Sequence, residues 1–281
     1  MAHPTHGSRP AALVVGGTRG IGREIARLLA AAGNDVTVVG RPGGAGAEAA
    51  AEIGAAFLPA DVSRLPEVRR VAAEVASRHD RLHHLVQSAD VIKKERVDTP
   101  EGFEVGFATN YLSRFLLAGL LLDRLRAGSA RILHVAAAGA AGRFSLGSVP
   151  PGPRVGAFRA HGVGQGANDV FGVELAARLA GSGVVVQVAN PGAVETGIRD
   201  EVATGLFGRT MVAAYGALAT VRGPAEAARI LLDTAERHSG DVLIGMKGPV
   251  RVPARARDLE LRRGLWRRTE ELVGLTVDTG R

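Results

Sequence analysis

The stretch VVGGTRGIGREIARLL, residues 14–29, decides how this chain is read. An apolar run, AALVVG (11–16), ends in glycine, and an apolar pattern of helical spacing follows over 21–32. Gly16, Gly20 and Gly22 stand between them. Glycine at a strand-to-helix turn permits a tight reversal and lets backbone N–H groups approach a phosphate, and the helix N-terminus adds partial positive charge. A glycine pattern alone is a weak signal, and a ligand-free turn is its bland reading. The strand–turn–helix setting favours a dinucleotide site.

The alternation continues outward. DVTVVG (35–40) precedes an Ala-rich 45–53, AAFLPA precedes 64–78, and RLHHLVQ precedes a long helix expected over 100–127. ARILHVAA leads through a Gly-rich loop to a helix expected over 160–180, then come GVVVQVAN and, late, GDVLIG. These short runs lack polar alternation, as strands covered on both faces do. Six rounds of strand and helix predict an α/β fold: a Rossmann-type doubly wound parallel sheet in a single domain over 10–281. A C-terminal helical extension and a short flexible lead-in over 1–9 complete the expected organisation.

Composition narrows the function classes. The 281 residues suffice for one large core. Without cysteine, disulfides, thiol nucleophiles and cysteine-ligated metals are excluded. No His/Asp/Glu cluster has metal-ligand spacing, so no metal is expected. Net charge is +7, from 35 basic and 28 acidic residues. The basic residues are scattered, and the densest group, RVPARARDLELRRGLWRR, reads as an amphipathic surface helix. With two Tyr and one Trp there is no stacking platform for nucleic acid. A mild positive field drawing an anionic cofactor or substrate is the simpler account. The N-terminus lacks an apolar signal core, and no run is long enough to span a membrane. A cytoplasmic location is the expectation.

The spacing Gly-x-x-x-Gly-x-Gly resembles that of the short-chain dehydrogenase/reductase family. Asp61-Val62 after the third strand resembles the family's adenine-contacting segment. EGFEVGFATNYLSRFLL resembles its long fourth helix, with Asn110 at the structural and catalytic asparagine. NPGAVET (190–196) resembles the segment that packs on nicotinamide. DLELRRGLWRRTEELVGL resembles the tail of the retinol-dehydrogenase-like branch. The resemblance covers about residues 10–275. It implies a cofactor site of Gly16, Thr18, Arg19, Gly20, Ile21, Gly22, Arg41, Asp61, Val62, Ser88, Ala89, Asn110, Pro191, Gly192, Val194 and Thr196. It also implies a homo-oligomer formed through the fourth and fifth helices, although burial in the chain's own core explains the apolar FLLAGLLLDRL equally well.

Cofactor choice has a physical basis. NAD-preferring domains carry an acid after the second strand for the ribose 2′-OH. Here VTVVGRPGG has none, and Arg41 stands in its place. A guanidinium suits a 2′-phosphate, and Arg19 in the glycine loop can converge on it. NADP(H) is therefore expected, against the alternative of two solvated arginines.

The catalytic end departs from the family pattern. Aligning RILHVAAAGAAGRF puts Ala137 at the family's catalytic serine. Aligning AHGVGQGANDVFGVELAARLAGSGV puts His161 at the tyrosine and Gln165 at the lysine. The usual Asn-Asn-Ala-Gly segment reads Gln87, Ser88, Ala89, Asp90. Only Asn110 survives of the catalytic four. Asn110 and His161 are the candidate catalytic residues, although a histidine there can equally hydrogen-bond locally or face solvent. His83, His84 and His134 lie on or beside strands and read as core or edge residues.

Three functions remain open. One is an NADPH-dependent ketoreductase whose proton comes from the substrate, from His161 or from a water on Asn110. The others are an inactive NADP(H)-binding pseudoenzyme and a non-redox enzyme reusing the pocket. The loops at 139–157 and 199–218 are expected to flank the site and set its substrate. Phe144, Ser145, Phe158, Phe207 and Met211 are candidate substrate contacts. Their apolar character suits a hydrophobic polycyclic ketone. In lacking the Ser-Tyr-Lys set the chain resembles atypical polyketide ketoreductases acting on angucyclinones, which implies a carbonyl of a polycyclic aromatic polyketide.

Overall fold

The computed structural model describes residues 9–43, 45–194 and 222–280. Its centre is an eight-stranded sheet in the order β3-β2-β1-β4-β5-β6-β7-β8. The strands are β1 (Ala11–Val15), β2 (Asp35–Gly40), β3 (Ala56–Pro59), β4 (His84–Gln87), β5 (Arg131–Val135), β6 (Val185–Asn190), β7 (Leu243–Gly245) and β8 (Gly248–Pro249). All neighbours pair in parallel except β7 and β8, a short antiparallel edge that the sequence pattern did not anticipate. The strand order reverses between β1 and β4, and this crevice is where ligands bind in open parallel sheets.

Every residue of β1 is buried, because both faces of the sheet are covered. Leu13 and Val15 join one apolar cluster and Ala12 and Val14 join another. The second cluster is closed by α1 (Gly20–Ala31) and a late helix, Pro224–Arg237. The first takes α2's successor in the chain, α3 (Leu65–Arg78), with α2 itself spanning Gly46–Glu52.

The long helix expected over 100–127 is interrupted. It starts only at Val105, where the Glu104 side chain accepts from the Phe107 N–H at 2.7 Å. A short α4 (Val105–Phe107) runs into a π-helical turn, Ala108–Leu112, which carries Asn110. The chain continues as α5 (Ser113–Leu120) and α6 (Leu122–Ala127). A π turn admits one extra residue into the helix, and such turns are frequent at functional sites. Phe115, Leu116, Leu117, Leu121, Leu122 and Leu125 are all buried within this one chain.

The next helix, α7 (Ala157–Arg178), begins three residues before the expected start. It is followed by α8 (Pro224–Arg237), α9 (Ala254–Arg257) and α10 (Leu259–Val273). The basic C-terminal stretch is the amphipathic helix its pattern predicted. Asp258 caps it, and Gly264, Leu265, Trp266, Thr269 and Val273 face inward. Trp266 packs edge-on against Phe115 at 5.0 Å between ring centroids, with the Arg178 guanidinium 4.1 Å from its ring centre. The Tyr111 and Thr269 hydroxyls lie 2.6 Å apart, tying α10 to the π turn.

Buried ionisable groups give the fold a pH signature. His134 on β5 is fully buried, and burial first, then the Arg114 charge, lowers its pKa to about 3. His84 on β4 is lowered to about 4 by burial, then by Arg131 and His83. Below pH ~6.5 the unfolded chain takes up these protons before the folded one, so stability falls as pH drops toward those values. Asp169 on α7 acts oppositely. Burial raises its pKa to about 6, although N–H groups of Ala141, Gly139 and Ala140 bond to it. Its contribution is full below pH ~4 and is lost as pH rises through 6. Each proton difference is worth about 1.4 kcal/mol per pH unit. Between pH 6 and 4 two histidine terms oppose one aspartate term. Urea titrations of His134→Leu are therefore expected to lose about one proton's slope in that range. Asp169→Asn is expected to make the acid decline steeper. A slope unchanged in either variant contradicts these assignments.

Candidate functional site

The glycine turn forms the cradle that its spacing predicted. Gly16 has φ +78, and a Cβ there would lie 2.5 Å from the Ala89 nitrogen. A Cβ on Gly22 would lie 2.3 Å from the Gly16 carbonyl oxygen. Backbone therefore meets backbone at the switch point, and only glycine fits. Helix α1 starts here with no side-chain cap and no acid in its first turn. Its first N–H groups lack intrahelical partners and are available to an anion.

A cavity of about 810 Å³ opens over this cradle. Its wall includes Gly16, Thr18, Arg19, Gly20, Ile21, Arg41, Asp61, Val62, Ser88, Ala89, Pro191, Gly192 and Val194. Thirteen of the sixteen residues assigned to the cofactor by sequence thus share one surface. Gly22 lies beneath it as the packing contact just described. Thr196 lies outside the described residues, as do Phe207, Met211 and the loop 199–218. Arg19 and Arg41 are exposed at the rim, and neither forms an ion pair among the described residues. Asp61 accepts from the N–H and hydroxyl of Ser63 through Oδ1 alone, at 3.0 and 2.8 Å. Its other oxygen is left for a ligand. The glycine cradle, the free helix terminus and the unpaired guanidiniums fit a phosphorylated dinucleotide.

At the opposite end the wall is formed by Asp90, Val91, Thr109, Ala136, Ala137, His161 and Gln165. Ala137, His161 and Gln165 come together although they are far apart in sequence. The Ala137 N–H donates to Gln165 Oε1 at 2.9 Å. Gln165 Nε2 lies 3.4 Å from Asp90 Oδ2 and 3.1 Å from His161 Nε2. His161 Nε2 lies 3.1 Å from Asp90 Oδ1.

Asn110 is fully buried and behind this wall. Its Oδ1 accepts from Val91 N–H at 2.8 Å and its Nδ2 donates to Val91 C=O at 2.9 Å. Its own carbonyl accepts from Asn168 Nδ2 at 2.9 Å. The side chain is spent on holding the segment after β4.

The candidate substrate residues in the 139–157 loop do not reach the cavity. Phe144 is 5% exposed and packs into the core beside Gly166 of α7. It is a core residue, because the Gly139–Ala141 turn is pinned to α7 by the Asp169 carboxylate at 2.8–3.2 Å and turns the ring inward. Ser145 and Phe158 are exposed away from the cavity wall. Asp90, Thr109 and Val91 are cavity residues that sequence reasoning had not assigned. Asp90 carried a signal: an acid where the family pattern has glycine. Among the described residues no group of three or more His, Cys, Asp or Glu is placed to hold a metal ion. No described helix is long and apolar enough to cross a membrane.

Comparison with known proteins agrees with this geometry. The short chain dehydrogenase family model matches residues 10–206. Human retinol dehydrogenase 13 is 31% identical, over 96% of this chain and 86% of its own. Mouse polyprenol dehydrogenase is 33% identical, over 94% and 83%. The Pseudomonas aeruginosa RhlG/NADP active-site complex superimposes with a TM-score of 0.67 at 25% identity, covering 87% of this chain and 97% of that one. A Mycobacterium paratuberculosis protein of 24% identity shares the fold over 96% of both chains, with a TM-score of 0.70. The chain belongs to the short-chain dehydrogenase/reductase family of NAD(P)-dependent oxidoreductases.

Proposed function

We propose that this protein is an NADPH-dependent ketoreductase acting on a carbonyl of a hydrophobic, polycyclic aromatic compound of the angucyclinone polyketide type. The observation that carries the reading is the single cavity that joins the dinucleotide cradle to the Ala137, His161 and Gln165 wall. The preference for NADPH rests on Arg19 and Arg41, unpaired at the rim where an NAD-specific site places an acid. Small and apolar residues line the reaction end, among them Val91, Ala136, Ala137, Ala193 and Val194. The named substrates of two relatives, a retinol and a polyprenol, are likewise apolar alcohols.

A nicotinamide held in this cavity would supply the hydride. The chain supplies position. Pro191–Val194 and Ala89 form walls on which a planar ring is held, and holding two reactants in contact lowers a barrier by ~7–11 kcal/mol. General acid catalysis adds a factor of about 10²–10⁴, so loss of the family's tyrosine slows but does not forbid the reaction. Ala137 offers no hydroxyl to the carbonyl oxygen. A hydroxyl beside the carbonyl on the substrate makes up for this by donating to the oxygen as charge develops.

Two measurements test the reading. Arg41→Asp is expected to weaken NADPH binding by at least about tenfold, the worth of a charge-assisted hydrogen bond, and to leave NADH little changed. Equal dissociation constants for NADPH and NADH in the native protein contradict the cofactor assignment. A hydroxyl-flanked aromatic ketone is expected to turn over about 10²–10⁴ times faster than its methyl ether. Equal rates rule out internal donation. Tight NADPH binding with no oxidation by any polyphenolic ketone returns the chain to a cofactor-binding pseudoenzyme.

A further inference from the structure

We infer that Asp90 and His161 form a proton-donating pair at the reaction end of the cavity, with His161 the catalytic residue and Asp90 and Gln165 its positioning residues. The inference rests on the ketoreductase reading, because it assigns the origin of the proton in that reaction.

Donor and acceptor rules fix the arrangement. The Ala137 N–H can only donate, so the Gln165 atom facing it is Oε1. The Gln165 NH₂ group is therefore turned toward Asp90 and His161. A carboxylate only accepts. Gln165 Nε2 and His161 Nε2 sit side by side, 3.1 Å apart, each facing an oxygen of Asp90 at 3.4 and 3.1 Å. His161 Nε2 either donates to Asp90 or accepts from Gln165, and because a carboxylate oxygen can only accept, the Asp90 pairing takes the His161 proton on Nε2. The other ring nitrogen, Nδ1, has no hydrogen-bond partner among the described residues. The side chains of His161 and Asp90 keep 21% and 25% of their surface, and both line the cavity. The pair is accessible from the place where substrate would lie. Arg114 is the other charge facing Asp90, from behind the wall, where its Nη2 donates to the carbonyls of Ala89 and Val135.

This is the division of labour of an Asp–His pair, with the carboxylate on one ring nitrogen and the other free to exchange a proton. In a protonated ring the second proton sits on Nδ1. Hydride adds to the carbonyl carbon, and the C=O π electrons become a lone pair on oxygen. In the same step the flanking hydroxyl passes its proton to that oxygen and takes one from His161 Nδ1–H, which becomes neutral and keeps Nε2–H on Asp90. A solvent proton restores it. The product is the alcohol with its neighbouring hydroxyl intact.

The test uses the full chain saturated with NADPH. In ¹⁵N-histidine spectra at pH 8, His161 is expected as the Nε2–H form. In Asp90→Leu the Gln165 N–H donates to the ring instead, and His161 is expected to switch to the Nδ1–H form. An Nδ1–H form in the native protein, or a tautomer indifferent to Asp90→Leu, overturns the pairing. In single turnover with a hydroxyl-flanked ketone, His161→Phe is expected to slow NADPH oxidation about 10²–10⁴-fold with unchanged NADPH affinity. Asp90→Asn keeps an acceptor but not the charge, and is expected to slow it while retaining the Nε2–H form. Native rates in both variants overturn the acid role. If the native protein oxidises NADPH with no ketone, the ketoreductase reading fails, and the spectra still decide the pairing.

Discussion

A Cβ on Gly22 would stand 2.3 Å from the carbonyl oxygen of Gly16, and one on Gly16 would stand 2.5 Å from the Ala89 nitrogen. The end of β1, the start of α1 and the end of β4 thus meet backbone to backbone. Van der Waals contact at this distance leaves no room for a side chain in any rotamer. The same approach exposes the first N–H groups of α1 to the crevice, since no side chain among the described residues caps them. The position of the cavity over the switch point follows from this close contact.

At the far end of the cavity a second lock operates, made of side chains. Asn110 is committed to Val91, so the segment after β4 is fixed in place. That puts Asp90 within reach of α7, where His161 and Gln165 stand one helical turn apart. Asp169, one turn further along, holds the Gly139–Ala141 turn through three bonds to backbone N–H groups. Helix α7, which carries His161 and Gln165, is thus anchored to both of its neighbours.

Most of the fold was legible because short uninterrupted apolar strands and helical periodicity are local signals. The cradle was legible for the same reason: its glycines stand within seven residues of one another. Three features were not. The π turn at Ala108–Leu112 presents Asn110 to Val91, nineteen residues away, a pairing that no helical pattern encodes. Phe144 reads as a loop aromatic, yet a buried carboxylate on another element turns it into the core. The β7–β8 edge is too short for a two-residue period to register.

By itself the sequence determined the parallel order of the sheet, its switch point and the glycine-rich turn at the end of β1. These depend on residue type at fixed spacing along the chain. Only the tertiary structure decided what Asp90, His161 and Gln165 are to one another. Their contacts span four to seventy-five positions, and the orientation of the Gln165 amide among them is set by the Ala137 backbone N–H. Donor and acceptor geometry of that kind exists only after β4, β5 and α7 have been brought to one end of the sheet.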